Sequence, residues 1–213
     1  MTSRAVGRGG LLRRLEAIAD APGRAVYAGG VATIDHGAER WRVRPAFGLA
    51  HEGAYEHVEV GPLVAALRED HLVAVLLVRL GGYAAGVLDG ERLVASKVGR
   101  RLVHGRHKAG GWSQQRFSRR REGEARSLHE EAAREAVRVL EPWLGRVEHA
   151  SLGGDRGAVR ATIAADGRLA PLAALALPRF LTVPDPRRDV LERVAFDVYA
   201  ADLEIEALPA DGA

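Results

Sequence analysis

The feature that most constrains the fold is the apolar run Leu72–Val78, which is rich in β-branched residues. A run of this length and composition predicts a strand covered on both faces of a sheet. The pair Gly81-Gly82 marks a turn, and Tyr83–Leu88 forms a second predicted strand. Asp89-Gly90 is a strong hairpin signal, after which Leu93–Val98 predicts a third strand. The sequence therefore predicts a three-stranded antiparallel meander.

A long helix is predicted next, from Phe117 to about Leu144. Apolar side chains recur on one face of it at helical spacing: Ala125, Leu128, Ala132, Ala136, Leu140 and Trp143. The remaining predicted elements are the strand His149–Leu152, the helix Ala158–Ala165, the strand Arg179–Val183 and the helix Arg188–Tyr199. A meander followed by strand-helix units predicts an α/β fold with a mixed sheet, and the ribonuclease-H-like arrangement fits this order best among familiar folds.

The first third of the chain has a less regular pattern. A helix is predicted over Leu11–Asp20, strands over Ala25–Tyr27 and Trp41–Val43, and a short helix over Pro62–Arg68. We therefore expect a small N-terminal α+β extension, residues 1–66, to which the sequence gives no role. Residues 67–206 are expected to form the functional domain.

Composition excludes several classes of protein. The 213 residues include no cysteine, so disulfides and thiolate metal sites are ruled out. The first ten residues lack the apolar core of a signal peptide, and no apolar run is long enough to span a bilayer. These observations predict a cytoplasmic protein without a membrane partner, and we expect a monomer with no cofactor and no bound metal.

Charge is distributed unevenly along the chain. Between Arg92 and Arg121 there are ten basic residues and no Asp or Glu, and both lysines of the chain, Lys97 and Lys108, fall in this segment. The region after Asp197 is acidic by contrast. Such local asymmetry predicts a face that binds a polyanion.

Within the basic segment lies a glycine-rich loop, predicted over residues 104–116. Gly110-Gly111 allows backbone conformations that other residues avoid and lets main-chain N–H groups approach a ligand closely. Gln114 and Gln115 each carry an uncharged amide, which can hold a water molecule but is a poor general base. These amides suit a reaction whose barrier falls through positioning. The basic residues expected to contact phosphates are Arg106, Lys108, Arg116, Arg119, Arg120 and Arg121.

The string GRHKAGGWSQQRFSRRREGEA resembles the loop of the Vms-like release factors, a family of peptidyl-tRNA hydrolases, and especially its bacterial branch. That family is similar to the catalytic domain of eukaryotic and archaeal class I release factors, which carry Gly-Gly-Gln at this place. The resemblance extends over residues 72–198, includes Leu152-Gly153-Gly154 at a strand end, and is specific over residues 105–125. Its motif of glycine, spacer, serine and glutamine matches Gly111-Trp112-Ser113-Gln114.

The resemblance implies a codon-independent peptidyl-tRNA hydrolase that releases nascent chains from stalled large ribosomal subunits. Gln114 would position water against the ester that joins peptide to tRNA, and its backbone N–H would stabilise the oxyanion. Gly111 and Ser113 would complete the motif, with Trp112 beside the RNA. Because Gln115 follows directly, it stays open as the second candidate. No codon-reading domain is visible, so we do not expect termination at stop codons.

Two other functions stay open: a nuclease that cuts tRNA near its 3′ end, and a non-catalytic ribosome- or RNA-binding module. The three-residue spacing of His104 and His107 is compatible with metal ligation, although phosphate contacts or solvation are the favoured interpretation. Scattered acidic residues are candidates for a two-metal nuclease site but are interpreted mostly as structural: Asp89, Glu91, Asp155, Asp166, Asp189 and Asp197. Trp112 either stacks on a base or packs the loop onto the protein.

Overall fold

The computed structural model describes residues 2–100 and 113–208, with side chains over residues 4–100 and 123–208. The chain divides into two compact units. One contains Met1–Asp70 together with Phe196–Ala213, and the other contains His71–Ala195. The second unit is thus inserted between two parts of the first. The functional boundaries 1–66 and 67–206 stay a prediction, whereas the compact units divide after Asp70 and again before Phe196.

The first unit is built on a six-stranded antiparallel sheet with strand order β1-β10-β4-β3-β2-β5. Its strands are β1 (Thr2–Val6), β2 (Gly23–Ala28), β3 (Val31–His36), β4 (Glu39–Arg44), β5 (Gly53–Tyr55) and β10 (Ala201–Ala207). The helices α1 (Arg8–Ile18) and α2 (Gly61–Arg68) bury Leu11, Leu15, Leu63 and Leu67 in a core shared with the sheet. The expectation of an irregular first third was therefore wrong, because its five strands and β10 form a complete sheet with its own core.

The second unit contains a four-stranded sheet with strand order β8-β7-β6-β9. Its strands are β6 (Leu72–Arg79), β7 (Gly82–Asp89), β8 (Arg92–Arg100) and β9 (His149–Gly154). The first three form the predicted antiparallel meander, and β9 runs parallel to β6. The mixed α/β sheet is thus confirmed, while the ribonuclease-H-like assignment stays a prediction.

Helix α3 (Ser113–Leu140) packs along this sheet. The predicted apolar face is confirmed at Leu128, Ala132, Ala136 and Leu140, which are all fully buried. Ala125 is only half-buried, and Trp143 lies beyond the helix end, where it packs against the same core. The helix ends at Leu140 rather than Leu144 because Pro142 removes a main-chain donor and favours the turns that follow.

Three further α-helices follow α3 along the described chain: α4 (Arg156–Ala165), α5 (Pro171–Ala174) and α6 (Arg188–Val198). The strand predicted over Arg179–Val183 is reduced to a single parallel bridge between Leu181 and Gly153. Pro178 and Pro184 flank it, and each lacks the N–H that a longer ladder would use. Within residues 2–100 and 113–208, no helix has the length and apolar character needed to cross a lipid bilayer.

Candidate functional site

The basic segment connects β8 to α3, so its two ends are set by described elements. Strand β8 ends at Arg100, and α3 begins at Ser113. The candidates that lie outside the described residues are Gly111, Trp112, Arg106, Lys108, His104 and His107. The candidates that belong to the first turns of α3 are Ser113, Gln114, Gln115, Arg116, Arg119, Arg120 and Arg121.

The start of α3 corrects the predicted loop boundary. The loop was expected to reach residue 116, with the helix from Phe117, but the helix begins at Ser113. Glutamine and arginine are good helix formers, and the first glycine or proline after Gly111 is Gly123. The helix can therefore start as early as Ser113. The backbones of Gln114 and Gln115 therefore belong to the first turn of α3.

A helix N-terminus has chemical properties that matter at this position. Its first main-chain N–H groups have no partner within the helix, and the helix dipole places partial positive charge there. The first turn of α3 carries no acidic residue that would neutralise it. The arrangement favours a bound anion or a developing negative charge next to Ser113 and Gln114.

Beyond these turns, α3 is anchored by its buried half. Leu128 is the first fully buried side chain among the described part of the helix. From Ser113 to Leu128 the helix axis extends about 22 Å at 1.5 Å per residue. The candidate glutamines thus lie at the N-terminal end of α3, and the described buried side chains of this helix begin at Leu128.

Tyr83 on β7 joins the end of β8 to α3. Its ring lies against Gly99, where an added Cβ atom would fall 2.1 Å from Tyr83 Cζ. Its hydroxyl donates to Glu131 Oε1 at 3.2 Å. Burial, with the negative charge of Glu131 next in size, raises the pKa of Tyr83 to about 12, so the hydroxyl stays a donor at neutral pH. Only glycine at position 99 leaves room for this ring.

A second link between the same elements is an ion pair. Lys97 Nζ lies 3.8 Å from Glu135 Oε2, and Glu135 also accepts from Arg138 at 3.2 Å. Because Lys97 is about half exposed, this pair contributes little to stability by itself. Glu135 lies one turn of α3 beyond Glu131, so the ion pair connects β8 to the helix at a second point. Lys97, which the sequence places only within the basic segment Arg92–Arg121, therefore has a structural partner.

The strand end at Leu152-Gly153-Gly154 is a packing feature. A Cβ atom at Gly153 would meet Leu181 and Leu77 at 2.9 Å, and Gly154 has a φ of 101°, which favours glycine. Asp155 then caps α4 by accepting from the N–H of Ala158 at 2.8 Å. These residues close the β9–α4 junction tightly.

The acidic residues weighed for a two-metal site do not come together. Asp89 pairs with Arg92, Asp166 with Arg168 and Asp189 with Arg193. Asp155 is used as the helix cap. Within the part of the chain that the structure describes, the group of three potential metal ligands in mutual reach is His71, Glu148 and His149, none of which the sequence analysis singled out.

Sequence reasoning also missed Tyr83, Gly99 and Glu131. An aromatic side chain directly across from a glycine in a hairpin is a known signal of ring-over-backbone packing. Here the signal is displaced by one residue, since the register shifts between Val87 and Leu88. Counting from the Asp89-Gly90 turn without that bulge would pair Tyr83 with Val98 instead of Gly99.

Comparisons with known proteins agree with this architecture of strand, basic segment and long helix. A sequence model for a class of release factors matches residues 71–204. That model is acVLRF1, the Actinobacteria/chloroflexi VLRF1 release factor, and because it spans more than half of the chain, the chain belongs to this family. The resemblance drawn from residues 105–125 is thereby confirmed. No curated protein matches the chain.

Two solved structures are similar at low sequence identity. One, described as an archaeal protein, is 12% identical with a TM-score of 0.41, and the match covers 73% of this chain and 46% of that one. The other is the archaeal translation termination factor aRF1, 13% identical with a TM-score of 0.42, covering 92% of this chain and 66% of that one. The chain therefore spans about half to two thirds of their lengths. Both scores are below 0.5, so these similarities do not establish a shared fold.

Proposed function

We propose that this protein is a codon-independent peptidyl-tRNA hydrolase, which releases nascent chains from stalled large-subunit complexes. The observation that carries the proposal is the position of Gln114, in the first turn of α3, in a chain that belongs to a release factor family. The motif Gly111-Trp112-Ser113-Gln114 and the surrounding cations support the same function. A ribonuclease-H-like domain, supported by an antiparallel meander with a parallel fourth strand, would present this helix end.

The proposed reaction is hydrolysis of the ester between the peptide and the terminal ribose of tRNA. Water attacks the ester carbonyl carbon, and the tRNA hydroxyl leaves with a proton. The Gln114 amide orients the water, and because an amide does not titrate near neutral pH, it acts by position. Main-chain N–H groups at the start of α3 stabilise the oxyanion, where the helix dipole adds to their effect.

The proposed partners are the large ribosomal subunit and peptidyl-tRNA, both rich in phosphate. Arg106, Lys108 and Arg116 would contact phosphates near the reaction, with Trp112 against RNA. Arg119, Arg120 and Arg121 would extend these contacts along α3. We propose that the protein acts as a monomer in the cytoplasm.

Single-turnover peptide release tests the mechanism. Gln114→Ala should slow release on the order of a hundredfold or more, comparable to loss of one oxyanion donor. Ribosome affinity should stay unchanged, because the amide acts in the transition state. Gln115→Ala is the matched control, since it removes the same side chain one position further along, and it should have a smaller effect. Gly111→Ala should also slow release by limiting backbone approach.

The products and variants separate the alternatives. Intact tRNA with a free peptide carboxylate supports ester hydrolysis, whereas a peptide that keeps terminal nucleotides would identify a nuclease. An inactive Gln115→Ala with an active Gln114→Ala would move the catalytic role one residue on. Full release by the Gln114→Ala, Gln115→Ala double variant would eliminate the glutamine mechanism. Binding without any release would identify a binding module.

The salt dependence of ribosome binding tests the basic surface independently. Each phosphate contact should contribute about −0.7 to −0.9 to the slope of log affinity against log salt. Replacing Arg119, Arg120 and Arg121 with alanine should weaken binding and flatten that slope. Replacing Arg4, Arg13 and Arg14, three basic residues of the first unit, gives a charge-matched control. An equal loss in both triple variants would mean that total charge, and not the start of α3, governs binding.

A further inference from the structure

Two histidines and a glutamate meet at the start of two neighbouring strands of the second unit. His71 directly precedes β6, and Glu148 directly precedes β9, which begins with His149. Because β6 and β9 run parallel, with Val73 opposite His149, their N-terminal ends lie side by side. The three side chains therefore converge although 76 residues separate Leu72 from Glu148.

Short contacts hold this group together. His71 Nδ1 lies 2.9 Å from Glu148 Oε2, and the Leu72 N–H donates to Glu148 Oε1 at 3.1 Å. The rings of His71 and His149 have centroids 5.1 Å apart at an interplanar angle of 77°. One ligand atom from each of the three residues lies within 4.8 Å of the other two.

These distances suit a shared cation. Two ligands of a tetrahedral ion, each bound at about 2.0–2.1 Å, are about 3.3 Å apart. His71 Nδ1 and Glu148 Oε2 are 2.9 Å apart, so a small side-chain adjustment gives this separation. The ligand atom of His149 lies within 4.8 Å of the other two, so its side chain would rotate toward them on binding. Two imidazoles and one carboxylate are also the donor set of Zn²⁺ sites that keep a fourth position open to water.

The surroundings combine a fixed side with an open side. His71 is only 8% exposed, and its carbonyl accepts from the Gly90 N–H, so its backbone is held by the β7–β8 turn. The Glu148 side chain is 51% exposed, which gives an ion and its waters access from solvent. The Glu148 carboxylate neutralises part of the charge of a dication. The buried His71 imidazole has few orientations open to it, which restricts the coordination geometry of the ion.

We infer that His71, Glu148 and His149 form a binding site for one first-row transition-metal dication of the Zn²⁺ class. The ion links the starts of β6 and β9, and thus connects the meander before the basic segment to the strand after α3. Imidazole ligands favour Zn²⁺, Co²⁺ and Ni²⁺ over Mg²⁺ and Ca²⁺, which prefer oxygen ligands. The site stands apart from Gln114 and does not depend on the proposed release reaction.

Isothermal titration of the full-length, tag-free chain with Zn²⁺ tests the inference. His104 and His107 are replaced by glutamine in every protein used, so that they do not contribute a second site. Zn²⁺ should bind with a stoichiometry of one ion per chain and should raise the melting temperature. Mg²⁺ at the same concentration should do neither. His149→Gln and Glu148→Gln should each weaken Zn²⁺ binding tenfold or more. His57→Gln is the matched control, because His57 is an exposed histidine beside a glutamate, 3.7 Å from Glu59.

The variants are first compared without metal, by melting temperature and by NMR spectra of the backbone amides, so that a folding defect is recognised. If Glu148→Gln fails to fold, His149→Gln and Co²⁺-induced relaxation of amide signals near residues 71 and 149 decide the question. Zn²⁺ binding that is equal in His149→Gln and the parent chain would overturn the inference. So would the absence of binding, which would leave the His71–Glu148 contact as a hydrogen bond that ties β6 to β9.

Discussion

The two sheets of this protein are stabilised in different ways. In the second unit, β6 and β7 are buried along almost their whole length, so both faces of the central strands pack against apolar groups. In the first unit, burial alternates along β2 and β4, so one face packs on α1 and α2 while the other carries charges. The comparison shows that one sheet depends on packing, whereas the other adds a ladder of oppositely charged residues on its second face.

That ladder accounts for the acidic region after Asp197. Strand β10 pairs with β4 so that Asp202 lies opposite Arg44, Glu204 opposite Arg42 and Glu206 opposite Arg40. Asp35 on β3 accepts from Arg40 at 2.6 Å and from Arg24 at 2.7 Å. The acidic residues of β10 therefore face arginines of the same sheet. The charge asymmetry seen in the sequence is real, but its negative part is compensated locally.

The largest expected effect is on the buried sheet. Leu76→Ala should lower the free energy of unfolding by about 2–5 kcal/mol, because Leu76 is fully buried and its removal leaves a cavity. Val26→Ala, on the exposed face of β2, is the control and should cost less than about 0.5 kcal/mol. Urea unfolding of the full chain measures both. Similar losses would contradict the proposed difference between the sheets.

Gly99→Ala should have the next largest effect. The added methyl group would overlap the Tyr83 ring, and overpacking of this kind costs about 1–3 kcal/mol. In a chain that already carries Tyr83→Ala, the same substitution should be nearly neutral, because the ring is gone. A double-mutant cycle of urea unfolding measures this coupling. Additive effects would show that Tyr83 and Gly99 act independently.

Asp35 tests the charged sheet through pH. The hydrogen bond from Arg40, ahead of the one from Arg24, lowers the pKa of Asp35 from 3.8 to about 2. Since the folded pKa is below the unfolded value, the contribution to stability is complete above pH 3.8 and is lost as pH falls toward 2. Asp35→Asn should cost about 1–2 kcal/mol at pH 7 and much less at pH 2. Unfolding at the two pH values measures it, and a cost that does not change with pH would contradict the ion-pair account.

Tyr83→Phe should give the smallest effect, about 0.5–1.5 kcal/mol, because it removes one hydrogen bond to Glu131 and keeps the ring. Under the proposed function it should leave ribosome affinity unchanged and slow peptide release slightly, through the orientation of α3. Comparison of unfolding and single-turnover release separates the two. A large loss of stability would contradict the assignment of a single hydrogen bond to the Tyr83 hydroxyl.

Much of the second unit follows from its sequence. Continuous apolar strands, an Asp-Gly turn and a helix with evenly spaced alanines are local patterns, and each forms the expected element. The first unit was harder to predict, because Thr2–Val6 becomes a strand only by pairing with Ala201–Ala207, which in turn pairs with β4. Long-range pairing of this kind leaves little local periodicity.

For the candidate site, Gln114 could be proposed from the sequence because its motif is local, and its catalytic role stays a prediction. Its position in a helical turn was missed, because the good helix formers Gln114, Gln115 and Arg116 were assigned to the loop. Tyr83 and Gly99 were missed because a bulge shifts the hairpin register. His71 and Glu148 were missed because only the parallel pairing of β6 and β9 brings them together. Strand pairing, not residue type, decides the last two cases.

The insertion of one unit within the other also sets an order of events during synthesis. Strand β10 lies between β1 and β4 in the six-stranded sheet. While the ribosome is making residues 71–195, β4 has no neighbour on its β10 side and presents an unpaired edge. The inserted unit is complete before residues 201–207 are made, whereas the first unit must wait for them. A nascent chain arrested in between would expose this edge of β4, to which the β10 of another copy could bind.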